Sequence, residues 1–240
     1  MPEELLPGGL LMKTDSEVFK PGIDSMLLAY FAYSAAAKKS TRAIDIGCGT
    51  GIISLLLAWH LPKLHIESID INYRAAELTA ENARINNLSE RIKVTACDLR
   101  LHREIFNAGV FDFSLANPPF YRRDSGKRSS DAQIATARSE MTCTLLDVCR
   151  AAAYLTRTGG PFFLVHKPER LSEIFSSLQD CGFKPKYLRF VQHSSSSPPF
   201  LVLIESRRAG KASLLVDKPF ILTQTDGSDT DELRAVYTKW

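Results

Sequence analysis

Short apolar runs alternate with longer amphipathic segments along most of the chain. Residues 41–47, TRAIDIG, form an apolar run that stops at a glycine, the pattern of a buried strand. Over 51–60, GIISLLLAWH, the period changes to a helical one. A second strand is predicted at 65–71 (HIESIDI) and an alanine-rich helix at 72–87, with Asn72 suited to cap its first turn. Residues 91–97 (RIKVTAC) read as a third strand followed by a short helical piece, and 110–117 (VFDFSLAN) as a fourth. From Tyr121 to about Gln133 the composition is that of a polar, basic loop. A helix is predicted over 138–156, broken by Gly159, Gly160 and Pro161. A fifth strand (161–167), a helix ending at Gly182 (170–182) and two more strands (186–193 and 199–206) complete the pattern.

Strands alternating with helices imply parallel pairing in a doubly wound α/β sheet. The last two strands are joined only by a Ser/Pro turn, so they are expected to close the sheet as an antiparallel hairpin. The expected architecture is a seven-stranded, mostly parallel sheet over 41–210 with a helical N-terminal extension (1–40), built around the alanine-rich 24–39. The tail, 211–240, is too polar to assign. No internal repeat or linker divides the chain, which reads as one domain over 1–240.

Bulk composition narrows the reading only slightly. The net charge of +3 is too mild to identify a nucleic-acid partner by itself. Five cysteines without a C-x-x-C pair and five histidines without clustered spacing predict free thiols, a reducing cytoplasm and no metal site. No apolar stretch is long enough to span a membrane, and the first residues do not resemble a signal peptide. The oligomeric state is not legible; a monomer is the default expectation.

Chemistry enters at the turn after the first strand, DIGCGTG (45–51). Gly47, Gly49 and Gly51, with Cys48 between them, let the backbone turn tightly and approach a ligand at a helix N-terminus. A dinucleotide site would place a glycine at 52, where Ile52 stands. The G-x-G-x-G spacing, two residues after Asp45, resembles the S-adenosylmethionine (SAM) site of Rossmann-like methyltransferases. Asp45 would then lie near the cationic amino-acid end of SAM. Asp70, closing the second strand beside Ile71, can accept hydrogen bonds from ribose hydroxyls. Asp98 can accept from the adenine amine, with Leu99 against the ring face.

The second motif is NPPF, Asn117 to Phe120, at the end of the fourth strand. In an open α/β sheet, ligands bind at that edge. An exocyclic amine on an aromatic ring is a poor nucleophile because its lone pair is delocalised. Accepting its two N–H bonds on the Asn117 oxygen and the Pro118 carbonyl would aim the lone pair at the sulfonium methyl, and Asn117 would also border the cofactor. Pro118 and Pro119 stiffen the backbone, and Phe120 can stack on the displaced base. Such motifs serve adenine, guanine N2, cytosine N4 and glutamine amides, so the motif leaves the substrate open. The following RRDSGKR (122–128) carries four cations and one anion, which suits phosphate contacts. A second basic group in the C-terminal part includes Lys167, Lys186, Arg189, Arg207 and Arg208, each expected singly on a solvent face.

Five stretches together resemble the bacterial tRNA(Val) adenine-37 N6-methyltransferases: FKPGIDSMLLAYF (19–31), DIGCGTGIISLLLA (45–58), NPPFYR (117–122), residues 137–171 and SSSSPPFLVLIESRRAGK (194–211). The likeness spans most of residues 10–220. It implies a class I methyltransferase fold, SAM as cofactor, and methylation of the purine beside an anticodon, with a tRNA anticodon stem-loop as partner. It also implies that Phe19, Lys20, Gly22 and Asp24 help close the cofactor pocket, and that Arg138 with Glu140 braces the loop after NPPF. Phe19, Lys20, Tyr121, Arg122, Arg123, Lys127 and Arg128 would face the RNA. Two other readings stay open at this point. One keeps the chemistry but takes a release-factor glutamine or an rRNA guanine as substrate; the other is a SAM-binding RNA module without turnover.

Overall fold

A computed structural model describes residues 3–16, 18, 22–35, 40–119, 143–211 and 213–238. The chain opens on a hairpin, β1 (Glu3–Leu5) against β2 (Leu11–Lys13), followed by helix α1 (Ile23–Ala35). The alternation then runs β3 (Arg42–Ile46), α2 (Ile52–His60), β4 (His65–Asp70), α3 (Tyr73–Ile85), β5 (Ile92–Ala96), the short α4 (His102–Ile105) and β6 (Phe113–Ala116). After the next described helix, α5 (Leu145–Leu155), come β7 (Pro161–His166), α6 (Leu171–Asp180), β8 (Phe183–Gln192) and β9 (Pro199–Arg208). The tail adds β10 (Leu215–Val216), β11 (Phe220–Ile221) and α7 (Asp231–Thr238).

The seven expected strands run in the order β8-β9-β7-β6-β3-β4-β5 within a sheet that β10 and β11 extend to nine strands beside β8. Pairing is parallel from β5 through β7, and β9 runs antiparallel to both β7 and β8. The doubly wound, mostly parallel sheet with a closing antiparallel hairpin, read from the alternation, is therefore the observed one. Helices cover both faces. One apolar layer joins α1, α2 and α7 to Phe113, Phe163, Val165 and Leu203, and the other joins α5 and α6 to Ile44, Leu164 and Ile204. Helix α2 is buried over Ile52–Ala58 because it lies between the sheet and α1, which explains why its sequence is almost wholly apolar.

The N-terminal extension differs from the expectation of a wholly helical segment. Pro7, Gly8 and Gly9 reverse the chain, with both glycines at positive φ (79° and 80°), and the hairpin follows. Its second strand is held by side chains of α3 instead of by a third strand. Asn86 donates to the Leu11 carbonyl (2.6 Å) and accepts from the Leu11 amide (2.9 Å). Asn82, one turn earlier, does the same for Lys13 (3.1 and 2.8 Å). Two asparagines four residues apart thus mimic an edge strand.

The unassigned tail is also ordered into elements. β10 and β11 each pair parallel to β8. Arg189 anchors this region: its guanidinium makes a two-pronged ion pair with Glu232 (2.6 and 2.7 Å) and donates to the Lys218 carbonyl (3.0 Å). The solvent-facing role expected of this arginine is therefore corrected. Lys186 and Arg208 likewise serve structure, donating to Ser213 (2.9 Å) and to the Thr156 carbonyl (2.5 Å).

Helix starts follow local chemistry. Asn72 caps α3, accepting from the Arg74 and Ala75 amides. Thr144 and Asp147 form a reciprocal capping box on α5. Arg138 and Glu140, assigned to bracing that region, lie outside the described residues.

Phe163 sits fully buried at the centre of the sheet, edge-on to Phe31 (5.8 Å) and Phe113 (5.9 Å). Phe163→Ala is expected to remove about 3–5 kcal/mol of stability, and Phe163→Leu roughly a third of that. Urea denaturation with unchanged m-value checks both.

Candidate active site at the carboxyl edge of the sheet

Strand register brings three loops together. Ile46 pairs with Ile69 of β4 on one side and Ala116 of β6 on the other. The next residues, Gly47, Asp70 and Asn117, therefore stand at one level at the carboxyl edge, Asp70 as the last residue of β4, with neighbouring strands roughly 4.8 Å apart. The glycine turn, the acid expected to meet a ribose and the asparagine of NPPF thus share one edge.

The turn is held from below and from the side. The Gly47 and Cys48 amides both donate to the Ile69 carbonyl (2.8 and 3.0 Å), and the Gly51 amide donates to the Cys48 carbonyl (2.8 Å). Helix α3 satisfies the carbonyls: Thr79 Oγ1 donates to Gly49 (2.9 Å), and Asn82 Nδ2 to Thr50 (3.0 Å). Sequence reasoning missed Thr79 and Asn82, whose signal was only two polar residues on the buried face of a helix.

The three glycines differ in role. All have positive φ (76°, 57° and 81°). A Cβ on Gly51 would stand 2.7 Å from Thr79 Cγ2, so that glycine serves helix packing. A Cβ on Gly47 or Gly49 would meet nothing within 4 Å, so these two border open space.

Asp70 accepts from the Gly49 amide (2.9 Å) and the Asn72 amide (2.8 Å), while burial pushes its carboxyl above the ordinary range. Ile71 beside it is 43% exposed, an apolar surface at the mouth. Asp45 is fully buried on β3. Its Oδ2 accepts from Ser54 (2.7 Å), which in turn bonds Ser68 (2.8 Å). Its Oδ1 is buried with no hydrogen-bond partner among the described residues. Burial pushes the Asp45 carboxyl up to about 7, with Asp70 adding a like-charge contribution. The Cys48 thiol is buried among these acids and pushed well up, first by burial, then by Asp70 and Asp45. It is therefore a packing group and not a nucleophile.

On the far side, Asp98 caps the turn Leu99–Leu101 and accepts from the Arg100 amide (2.9 Å) and guanidinium (3.0 Å), which lowers its pKa. Its oxygens are thus engaged by Arg100, while Leu99 is packed in the core layer with Ile69 and Ala116. Neither is presented as openly as the expected adenine contacts.

Asn117 is positioned by α1. Its Nδ2 donates to Ser25 Oγ (2.8 Å) and Asp24 Oδ2 (3.1 Å), both buried. Among the described residues, no donor reaches its Oδ1 or the carbonyl of Pro118. Pro118 is buried and Pro119 half-buried. Phe19, Lys20, Phe120, Tyr121, Arg122, Arg123, Lys127 and Arg128 lie outside the described residues. A separate cavity of about 380 Å³ lies between α1, β8 and β9, lined by Tyr30, Tyr187 and Glu205 among others, and contains none of the site residues.

The residues present fit SAM. Gly47 and Gly49 leave a cradle a Cβ would narrow, Asp70 offers a carboxylate at the end of β4, and Asp45 holds an unpartnered oxygen beneath the turn.

Two outcomes check this construction. Gly51→Ala is expected to cost about 2 kcal/mol or more through the clash with Thr79, whereas Gly49→Ala costs roughly 1 kcal/mol of backbone strain but weakens cofactor affinity severalfold or more. Thermal melts and calorimetric titration with SAM separate the two. For Asp45, the folded pKa of about 7 lies above the ordinary 3.8, so the folded state keeps a proton that the unfolded state releases between those values. The stability this contributes is full below the ordinary pKa and is lost as pH rises to about 7. Asp45→Asn cannot ionise, so its stability should gain on the wild type by on the order of 2–4 kcal/mol from pH 4 to 7, then stay level. Denaturant titrations across that range measure the difference.

Comparison with known proteins agrees with this geometry. Residues 17–171 match the family model described as methyltransferase small domain. A curated tRNA1(Val) (adenine(37)-N6)-methyltransferase of Porphyromonas gingivalis is 34% identical over 158 residues, covering 64% of this chain and 60% of that protein. The chain thus spans about 60% of the length of the first curated relatives it matches. A protein of the same description from Shigella dysenteriae is 30% identical, covering 82% of this chain and 79% of its own. Among solved structures, a predicted O-methyltransferase from Agrobacterium tumefaciens superposes with a TM-score of 0.73 at 21% identity, covering 89% of this chain and 95% of that one. The strand ends that bring these loops together thus lie within a methyltransferase small domain, and the chain belongs to the tRNA1(Val) (adenine(37)-N6)-methyltransferase family.

Proposed function

We propose that this chain methylates N6 of an adenine in tRNA, with SAM as methyl donor, and that the target is position 37 beside the anticodon of tRNA(Val). The observation that carries the reading is the pair of acceptors at the carboxyl edge. The Asn117 amide is clamped through its nitrogen by Ser25 and Asp24, and Oδ1 and the Pro118 carbonyl are left without donors among the described residues. That pair suits an NH2 group, which must give up both its N–H bonds to be held.

Each residue has a physical task. Asn117 precedes Pro118, and Pro118 precedes Pro119, so residues 117 and 118 are both confined to extended backbone and residues 118 and 119 have φ fixed by their rings. The two oxygens are therefore set before the substrate arrives and need little reorganisation. Accepting both N–H bonds withdraws the amine from conjugation with its ring and aims the lone pair. Gly47 and Gly49 allow the cofactor to lie close to the backbone, and Asp70 would hold its ribose. Bound SAM supplies an electrophilic methyl: the N–C bond forms as the C–S bond breaks, the sulfonium becomes a neutral thioether, and the amine's surplus proton leaves to water. No side-chain base is needed before attack.

The substrate class rests on relatives described as acting on tRNA1(Val). Arg122, Arg123, Lys127 and Arg128 would contact phosphates, and Phe120 would stack on the displaced base, with Phe19, Lys20 and Tyr121 beside it. The protein would work as a monomer in the cytoplasm, where tRNA is modified. Among the described residues, no helix is long and apolar enough to cross a membrane.

Asn117→Ala should keep SAM affinity within about threefold while methyl transfer falls by roughly 10²–10⁴, since the group acts chiefly on the reacting amine. Transfer of labelled methyl to total RNA from cells lacking this protein should map to N6 of adenine in an anticodon loop. Label in a polypeptide, or on guanine N2 of rRNA, would overturn the substrate assignment. Binding of SAM and RNA without any transfer would overturn the activity itself.

A further inference from the structure

We propose that Asp24 and Ser25 at the start of α1 are positioning residues, which fix the facing of the Asn117 carboxamide so that its oxygen is the end presented to substrate. The inference rests on the methyltransferase reading and deepens it. Both residues are buried (8% and 7% exposed) and lie over ninety positions from Asn117 in sequence. Asp24 Oδ2 accepts from Asn117 Nδ2 at 3.1 Å, and Ser25 Oγ meets the same nitrogen at 2.8 Å. The other Asp24 oxygen is tied down by the Ser25 amide (3.0 Å). A Cβ on Gly22 would stand 2.7 Å from that oxygen, so the glycine makes room for the carboxylate.

The reason a carboxamide needs such a partner lies in its near symmetry. Its oxygen and nitrogen have almost the same shape, so rotation by 180° about the last side-chain bond exchanges an acceptor for a donor with little steric penalty. The flipped amide would face a substrate NH2 with another NH2, two donors with nothing to accept. Packing alone cannot distinguish the two states. A carboxylate can, because an ionised acid accepts and never donates, and it therefore requires the nitrogen end on its side. The serine hydroxyl both donates and accepts, so it follows the choice made by Asp24 and cannot impose one. The same negative charge polarises the amide through its N–H and strengthens Oδ1 as an acceptor. It also favours the positive charge that develops on the substrate nitrogen during transfer.

The hierarchy is testable. Asp24→Asn keeps the shape but can donate or accept, so the pair of amides can flip together. Its kcat should fall about 10- to 100-fold, the factor expected of a charge-assisted hydrogen bond. The melting temperature should be nearly unchanged. Ser25→Ala should lose less than about fivefold. In an Asn117→Ala background, Asp24→Asn should have no further effect on the residual kcat, since a residue acting through Asn117 has nothing left to act on. A purely structural Asp24 would instead lower kcat by the same factor in both backgrounds, and that result overturns the proposal. So does wild-type kcat in Asp24→Asn.

If Asp24→Asn fails to fold, Ser25→Ala and the Asn117 side-chain NH2 resonances carry the test. In the wild type those protons should be shifted downfield and slow to exchange, and Ser25→Ala should move them while leaving them protected through Asp24. Ordinary, fast-exchanging amide protons in the wild type would refute the clamp. This readout needs no turnover. A wild-type protein with protected protons but no transfer to tRNA would sink the proposed function alone.

Discussion

Parallel register is the constraint from which the site follows. Because β3, β4 and β6 run the same way and pair as Ile69–Ile46–Ala116, they end together, and whatever follows each strand is placed side by side. Neither the glycine turn nor the asparagine motif would be a site alone. A turn without an adjacent acceptor binds but does not react, and an acceptor without the turn has nothing to direct an amine toward. A one-residue slip of β6 against β3 would put the alternate residues of β6 on the wrong apolar layer, so the hydrophobic pattern that buries Phe113 and Leu115 on one face also fixes where Asn117 emerges.

The helices that cover the sheet supply the second layer of control. Helix α3 spends its polar residues on backbone: Thr79 and Asn82 hold the carbonyls of the glycine turn, while Asn82 and Asn86 hold β2. Asn82 therefore ties the N-terminal hairpin to the cofactor turn through one side chain. Helix α1 does the equivalent for the other half of the site, bringing Asp24 and Ser25 to Asn117. The segment before β3 is thus part of the wall around Asn117. Most of its information lies in side chains whose partners are far away in sequence.

That distance explains which features were legible. The alternation of apolar runs, the G-x-G-x-G spacing, the acid closing the second strand and the proline-locked asparagine are local signals, and they pointed to a mostly parallel sheet with a closing hairpin and to all three loops that meet at the edge. The roles of Thr79, Asn82 and Asn86 were invisible because a polar residue on a helix looks the same whether it faces water or a strand edge. The N-terminal hairpin and β10 and β11 were missed because strands of two or three residues give no periodicity to read. Arg189 looked like surface charge because its partner, Glu232, lies 43 residues on. The packing demand on Gly51 was also illegible, since the Thr79 side chain that a Cβ there would meet lies 28 residues on, in α3.

The acids beneath the turn show how burial and binding are balanced here. Asp45 and Asp70 are both raised by desolvation, the charge of Asp70 adds to the rise of Asp45, and among the described residues neither is paired with a cation. Such an arrangement opposes folding at neutral pH, where Asp45 has little to gain from staying neutral and no partner for its charge. A ligand with a positive end reverses the sign: it supplies the missing counter-charge in a low-dielectric setting, where a Coulomb attraction is worth more than in water. The ammonium at the amino-acid end of SAM is unchanged by methyl transfer, so a contribution of this kind would strengthen the hold on donor and product alike.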